Sequence, residues 1–197
     1  MLRLERAGSG LCDESLMRSD YKTSKNIIFR QETSAPALRE AFRLRASVWN
    51  ALGGDSLFHA EEWTDEFDAM AMHWLAYVNG SLVAAARMSV HEELKNAPYF
   101  HIFGQLQLRV DQPIASISRL VVHPEFRGFG IGREMDALRL RAAREMNCRT
   151  MTAVVSKVSG INRLHALEKQ GFKPVGPLNS HRGDWDWDWV TPMVLRF

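Results

Sequence analysis

The sequence predicts an α/β domain in which helices flank a mixed central β-sheet, and three observations carry that prediction. A short apolar run ending at Val122 passes through a glycine-rich turn into an amphipathic pattern, which reads as strand, turn, helix. Two further apolar runs, His73 to Val78 and Leu82 to Val90, are joined by Asn79-Gly80, the strongest short hairpin signal. The runs along the chain read strand, helices, three strands, helix, strand, helix, strands. Such an alternation covers a sheet with helices.

Composition narrows the function. At 197 residues the chain suits one domain, read over 26–197 with 1–25 as an arm. The 25 basic and 23 acidic residues leave +2, too mild to argue for a nucleic-acid partner. No apolar run reaches the length that spans a bilayer. Arg3, Glu5 and Arg6 interrupt any signal-peptide core, so a cytoplasmic protein off the membrane is expected. Cys12 and Cys148 match no metal spacing, and neither do His73, His91, His101 and His123. Two reduced thiols and no metal are expected.

Taken in order, the chain opens with a polar stretch containing Gly8-Ser9-Gly10, a loose arm or an extra packed helix. Ile27-Ile28-Phe29 makes a first strand. Ser34 suits a helix N-cap with Pro36 in the first turn. Leu38, Ala41, Phe42, Arg45 and Trp49 recur at helical spacing up to a stop at Gly53-Gly54. Residues 55–70 are acidic, a solvated surface or an electrostatic lure for a cationic amine. On a helical turn Asp65 and Asp68 would share a face. Residues 91–112, with Pro98 and Gly104, suggest an insertion. Ile114 to Val122 is a strand. Ile131, Met135, Leu138, Ala142 and Met146 form one helical stripe, with the arginines outside. Thr150 to Val155 is a strand rich in β-branched residues. Ser159 could cap a helix from Gly160 to Gln170, closed by Gly171. Phe172 to Gly176 reads as strand and Pro177 to Gly183 as loop. Trp185, Trp187 and Trp189 alternate with Asp186 and Asp188 as a strand would place them.

The turn carries the chemistry. Gly128, Gly130 and Gly132 lie between Arg127 and Arg133 at the start of a helix. Free amides and the helix dipole make such a place an anion cradle. A P-loop would need Gly-Lys-Ser/Thr where Gly132-Arg133-Glu134 stands, and the dinucleotide fingerprint needs a different glycine spacing. Arg-x-x-Gly-x-Gly, from Arg127 to Gly132 directly after a strand end, resembles the coenzyme A signature of the GNAT (N-acetyltransferase) superfamily.

That resemblance implies a fold whose fourth and fifth strands splay apart around the pantetheine of acetyl- or acyl-coenzyme A. Backbone groups of Leu120, Val121 and Val122 would pair with the pantetheine arm, the Val122 amide stabilising the developing oxyanion. Amides of Gly128, Phe129, Gly130, Ile131, Gly132 and Arg133, with Arg127, would hold the pyrophosphate. Asn162 is a contact to the arm, or a simple helix-start residue. The superfamily tyrosine acid has no counterpart, because its position is Leu167. His165, Ser156 or a water are the alternatives left for the proton.

Arg45 to Trp49, Asp65 to Asp68, Arg87 and Ser118-Arg119 also resemble acyl-homoserine-lactone synthases, which share that fold. The second resemblance implies that Arg45, Trp49, Asp65, Asp68 and Arg87 shape the acceptor site. An Arg45 pair with Asp65 or Asp68 could also simply brace a helix. Those synthases usually have a glutamate where Ser116 stands, and they commonly lack a complete glycine turn. The expected activity is acyl transfer from coenzyme A to a small-molecule amine, by direct attack in a ternary complex. The alternatives are an autoinducer-type synthase using acyl carrier protein, and a coenzyme A-binding module without catalysis. A homodimer is left open.

Overall fold

The computed structural model describes residues 26–51, 61–156, 160–176, 179–180 and 189–197. The N-terminal arm, the stop at Gly53-Gly54, the cap at Ser159, and Trp185 and Trp187 lie outside them.

One sheet grows from the Asn79-Gly80 hairpin. Strands β2 (Met72–Val78) and β3 (Ser81–His91) pair antiparallel across it, and both loop residues have positive φ. β1 (Ile27–Glu32) pairs antiparallel with β2, and β4 (Ile114–Val122) with β3. β5 (Thr150–Ser156) runs parallel to β4, and β8 (Trp189–Arg196) antiparallel to β5. Two short strands, β6 (Lys173–Pro174) and β7 (Asn179–Ser180), pair with β8. The eight strands, in the order β1-β2-β3-β4-β5-β8-β6 with β7 on β8, form the mixed sheet that the sequence predicts. The helices are α1 (Ala35–Asn50), α2 (Phe100–Gln105), α3 (Ile131–Glu145) and α4 (Gly160–Glu168).

Alternation along the strands divides the core between the two sheet faces. Trp74, Ala76, Ala84, Ala86 and Met88 join Ile117, Met151 and Ala153 in the larger cluster, with Ile131, Met135, Leu140, Leu167 and Phe172. Leu75, Ala85 and Val121 face the other way and meet Ala41 and Val48 of α1. The small side chains of Ala84 to Ala86 are fully buried.

Two irregularities in β4 interrupt the regular ladder. Its parallel pairing with β5 covers only Ile114↔Thr150 to Ile117↔Ala153, although β4 runs on to Val122 and β5 to Ser156. The strands therefore part at mid-sheet. On its other side, β4 shifts register against β3 between Ala85 and Arg87. Arg119 sits in that bulge at φ 54°.

Three expectations need correction. The arginines of α3 are not all outside: Arg139 is fully buried, as is Asp136, while Leu138 and Ala142 are half-buried and Met146 is exposed. The helix is rotated because the two charges pair and enter the interior together. Burial pulls the Arg139 pKa down to about 10, against the opposing pull of Asp136. Phe172 to Gly176 contributes only the two residues of β6, and Phe172 itself is buried in the core. The expected loop over Pro177 to Gly183 includes β7.

Leu75 is fully buried on the α1 side of β2. Leu75→Ala is expected to lower stability by about 2–5 kcal/mol through the lost transfer energy and the cavity left behind. Urea unfolding checks this, with a lower midpoint at unchanged slope.

Candidate active site

Two carboxylates and three guanidiniums meet on the edge of β3 and β4. Asp65 and Asp68 share one tight turn: the Asp68 amide donates to the Asp65 carbonyl at 3.1 Å, and the Asp65 amide to Asp68 Oδ2 at 3.0 Å. Asp65 Oδ1 accepts from Arg87 Nη1, and Asp65 Oδ2 from Arg87 Nη2 at 3.0 Å. The same oxygen accepts from Arg119 Nη2 at 2.6 Å. Asp68 accepts from Arg45 Nη1 at 2.7 Å and faces Arg87 Nη1 at 3.0 Å. Arg87 Nε donates to Ser118 Oγ at 3.0 Å. Arg45 and Arg87 are buried, and Asp65 keeps 16% of its side chain exposed.

His73 completes the network. Its Nδ1 lies 3.2 Å from Arg45 Nη2, and its Nε2 lies 3.0 Å from the Asp68 carbonyl oxygen. Arginine can only donate and a carbonyl can only accept. The ring is therefore neutral, with its proton on Nε2. Burial holds its pKa below the ordinary value, against the pull of the Asp68 carbonyl. For Asp65, burial alone would raise the pKa. The bonds and charge of Arg87, then those of Arg119, outweigh it and bring the carboxyl from 3.8 to about 2.

A cavity of about 210 Å³ opens against this network, lined by Asp65, Phe67, Arg87, Arg119, Tyr99 and His101 among others. Arg119 also stacks its guanidinium 3.9 Å from the Trp63 ring centroid. Trp63 meets Trp49 edge-on at 5.2 Å.

The glycine turn lies beyond the far end of β4. Gly128 and Gly130 have φ of 85° and 80°, which residues with a Cβ rarely adopt. A Cβ on Gly128 would meet nothing, so its backbone stands open. Gly130 is the N-cap of α3, and the first helical bond runs from the Glu134 amide to its carbonyl at 3.1 Å. No acceptor is found among the described residues for the amides of 128–133. Phe129 and Ile131 turn their side chains to the core, which leaves only their amides to the turn. These amides form a cradle suited to an anion.

Val122 faces the gap between β4 and β5. The His123 amide donates to the Val83 carbonyl at 2.8 Å, so His123 and Val121 both turn their main-chain groups to β3. Val122, between them, turns its own the other way. Its carbonyl accepts from Arg127 Nε at 3.2 Å. The backbone of Val121 is committed to the β3 ladder, contrary to the expectation that it pairs with a carrier.

The structure thus gathers Arg45, Asp65, Asp68 and Arg87 into one network. It adds His73 and Trp63, which the sequence reading left out, and Arg119, which entered there only within the synthase resemblance. Trp49 meets the network through Trp63. The lure for a cationic amine is corrected, because three arginines already neutralise the two aspartates. The brace of Arg45 on Asp68 is present. Leu167, at the tyrosine position, is fully buried in the core. Asn162 and His165 are exposed on α4, with no side-chain partner found among the described residues. No cluster of ligating side chains able to hold a metal occurs among the described residues, and no helix there is long and apolar enough to cross a membrane.

The profile of the Acetyltransferase (GNAT) family matches residues 36–172. The chain belongs to the GNAT family. No curated protein sequence matches it. Its fold is similar to that of FeeM, an N-acyl amino acid synthase from uncultured soil microbes. They share 13% identity at a TM-score of 0.67, over 87% of this chain and 91% of that one. It is also similar to the AHL synthase LasI, at 18% identity and a TM-score of 0.61, covering 87% and 90%. A GNAT family acetyltransferase from Elizabethkingia anophelis with acetyl-CoA bound shares 14% identity at a TM-score of 0.59, covering 88% and 99%. The parting of β4 from β5 and the turn at 128–132 are where the GNAT resemblance led them to be expected.

The depressed pKa of Asp65 makes a directional prediction for this GNAT domain. Its folded value of about 2 lies below the ordinary 3.8. The ionised carboxylate therefore stabilises the fold fully above about pH 4, and the gain is lost as pH falls toward 2. The stability gap between wild type and Asp65→Asn should hold above pH 4 and shrink by on the order of 2 kcal/mol below it. Urea titrations across that range check this. A gap that does not vary with pH would mean an unperturbed carboxyl.

Proposed function

We propose that this GNAT protein transfers an acyl group from a coenzyme A thioester to the amine of a small molecule, within a ternary complex. The observation that carries the reading is main-chain amides turned away from internal partners, offered twice in series. Val122 aims its amide into the β4–β5 gap, and the amides of 128–133 open the first turn of α3. The turn is suited to the diphosphate, with Arg127 and Arg133 adding charge. Leu120 and Val122 are suited to the pantetheine arm, and the Val122 amide to the developing oxyanion. Asn162 is placed on α4, the helix that follows β5.

The acceptor side is the cavity at Asp65, Arg87 and Arg119. Arg119 precedes Val122 by three positions in one strand. A volume of about 210 Å³ supports a small acceptor. The likeness to an N-acyl amino acid synthase and to an AHL synthase supports the same class, since both names denote small acylated products.

Neither Asp65 nor His73 is suited to take the proton of the attacking amine. Asp65 sits near pKa 2 with both oxygens occupied, and His73 spends its lone pair on Arg45. Their part is to hold the guanidiniums in place. Proton transfer falls to water or to groups on the cavity wall, where Tyr99 and His101 stand. His165 is tested in the same assay.

The test is release of free thiol from acetyl- and longer acyl-coenzyme A across a panel of amines and amino acids. Turnover with one acceptor class and none without acceptor is expected. Tight coenzyme A binding with no turnover would support a module without catalysis. Turnover only from acyl carrier protein would support the synthase reading. In a second experiment, Gly130→Val is expected to weaken coenzyme A binding at least about tenfold by calorimetry, because a β-branched residue resists the left-handed cap. Unchanged affinity in a folded variant would place the carrier elsewhere.

A further inference from the structure

Outside the acceptor network, α3 buries two charges that the proposed chemistry does not use. Arg139 has no exposed surface, and Asp136 is 1% exposed. A buried ion pair is weak grounds for stability, because apolar residues of similar volume often do as well. What sets this pair apart is where its remaining donors go. Arg139 Nη1 donates to the main-chain carbonyls of Arg87 at 3.1 Å and Ser118 at 3.3 Å. Its Nε donates to the Met135 carbonyl at 3.3 Å, and its Nη2 to Asp136.

Arg87 and Ser118 face each other across β3 and β4 at the edge of the bulge. A bulge takes a residue out of the ladder and disrupts pairing beside it. A carbonyl that loses its ladder donor in this way needs another one. The next residue, Arg119, is left-handed at φ 54°. Such a conformation is costly for a non-glycine residue and persists only where the surroundings enforce it. Asp136 is fixed from the opposite side by Arg163 of α4, with Nη2 donating to Oδ1 at 3.0 Å, and by Gln170 at 3.3 Å. A continuous chain of charge-assisted bonds therefore runs from α4 to the two carbonyls. The side chains of Arg87 and Arg119 are the ones that hold Asp65 at the cavity, and Ser118 Oγ accepts from Arg87 Nε.

We propose that Arg139 is a positioning residue for the transfer reaction, clamping the β3–β4 bulge in the shape that sets Arg87 and Arg119 at the acceptor cavity. A lysine keeps the charge but has one nitrogen, where Arg139 uses Nη2 for Asp136 and Nη1 for the two carbonyls. The inference rests on the transferase reading only for its kinetic test.

Arg139→Lys and Arg163→Gln are compared with wild type by thermal unfolding, coenzyme A titration and thiol release. Folded Arg139→Lys is expected to bind coenzyme A within about twofold of wild type while losing at least about tenfold in kcat/KM for the acceptor. Arg163→Gln, at the outer end of the chain, is expected to lose about threefold. Unchanged acceptor kinetics in Arg139→Lys, or coenzyme affinity that falls in step with activity, overturns the proposal. Should Arg139→Lys fail to fold, unchanged acceptor kinetics in Arg163→Gln overturns it instead. A wild type without any turnover sinks the transferase reading alone. The clamp is then read from the arginine Nε–H signals in NMR. In Arg139→Lys those of Arg87 and Arg119 should shift and exchange faster, and unchanged signals overturn the clamp.

Discussion

The sharing of one carboxylate, Asp65, between Arg87 of β3 and Arg119 of β4 is the interaction on which the rest of the site depends. Neither arginine comes from the segment that carries the aspartate. The contact therefore ties a turn before β2 to two neighbouring strands, and it does so where those strands are out of register. Asp68 and Arg45 repeat the arrangement one layer deeper, so that α1 is bound to the same point. A charge network of this kind is costly to bury unless each group finds partners. Here nearly every donor and acceptor is engaged, and His73 supplies the uncharged link that closes the set.

The charge network at Asp65 and the gap that leads to the glycine turn meet in a single strand. β4 presents Arg119 toward the cavity and, three positions on, the Val122 main chain toward the gap. Both depend on β4 leaving regular pairing: on one side by the bulge against β3, on the other by the early end of its ladder with β5. Regular strand would have left neither an exposed amide nor an arginine turned in the left-handed conformation. The parts of the sheet that break the pairing rules are therefore the parts suited to chemistry, as expected where local order yields to function.

Much of this was legible in the sequence. The glycine turn stands out because Gly128 and Gly130 occupy positions that demand positive φ, and the hairpin because Asn79-Gly80 does the same. Arg45, Asp65, Asp68 and Arg87 could be read as one constellation through the synthase resemblance, and burial of Arg45 and Arg87 is what obliges the four to pair. The sign of the site was harder to read. Six acidic residues between 55 and 70 suggested an attraction for cations, but charge along a sequence does not reveal which arginines the fold will bring to it. Arg139 was missed for a related reason. Its helical stripe places it outside only if charge is assumed to face water, and Asp136 three positions earlier removes that assumption. Left-handed Arg119 carries no local signal at all, since the bulge that forces it is a property of two strands together.

The short ladder between β4 and β5 has a mechanical consequence. Only Ile114 to Ile117 stitch the first half of the sheet to the second, so the two halves meet at an isthmus. Any guest that bonds to Val122 and to the facing edge of β5 would complete the missing rungs. Occupancy and rigidity would then rise together, and the C-terminal half would be most firmly held when the protein is loaded.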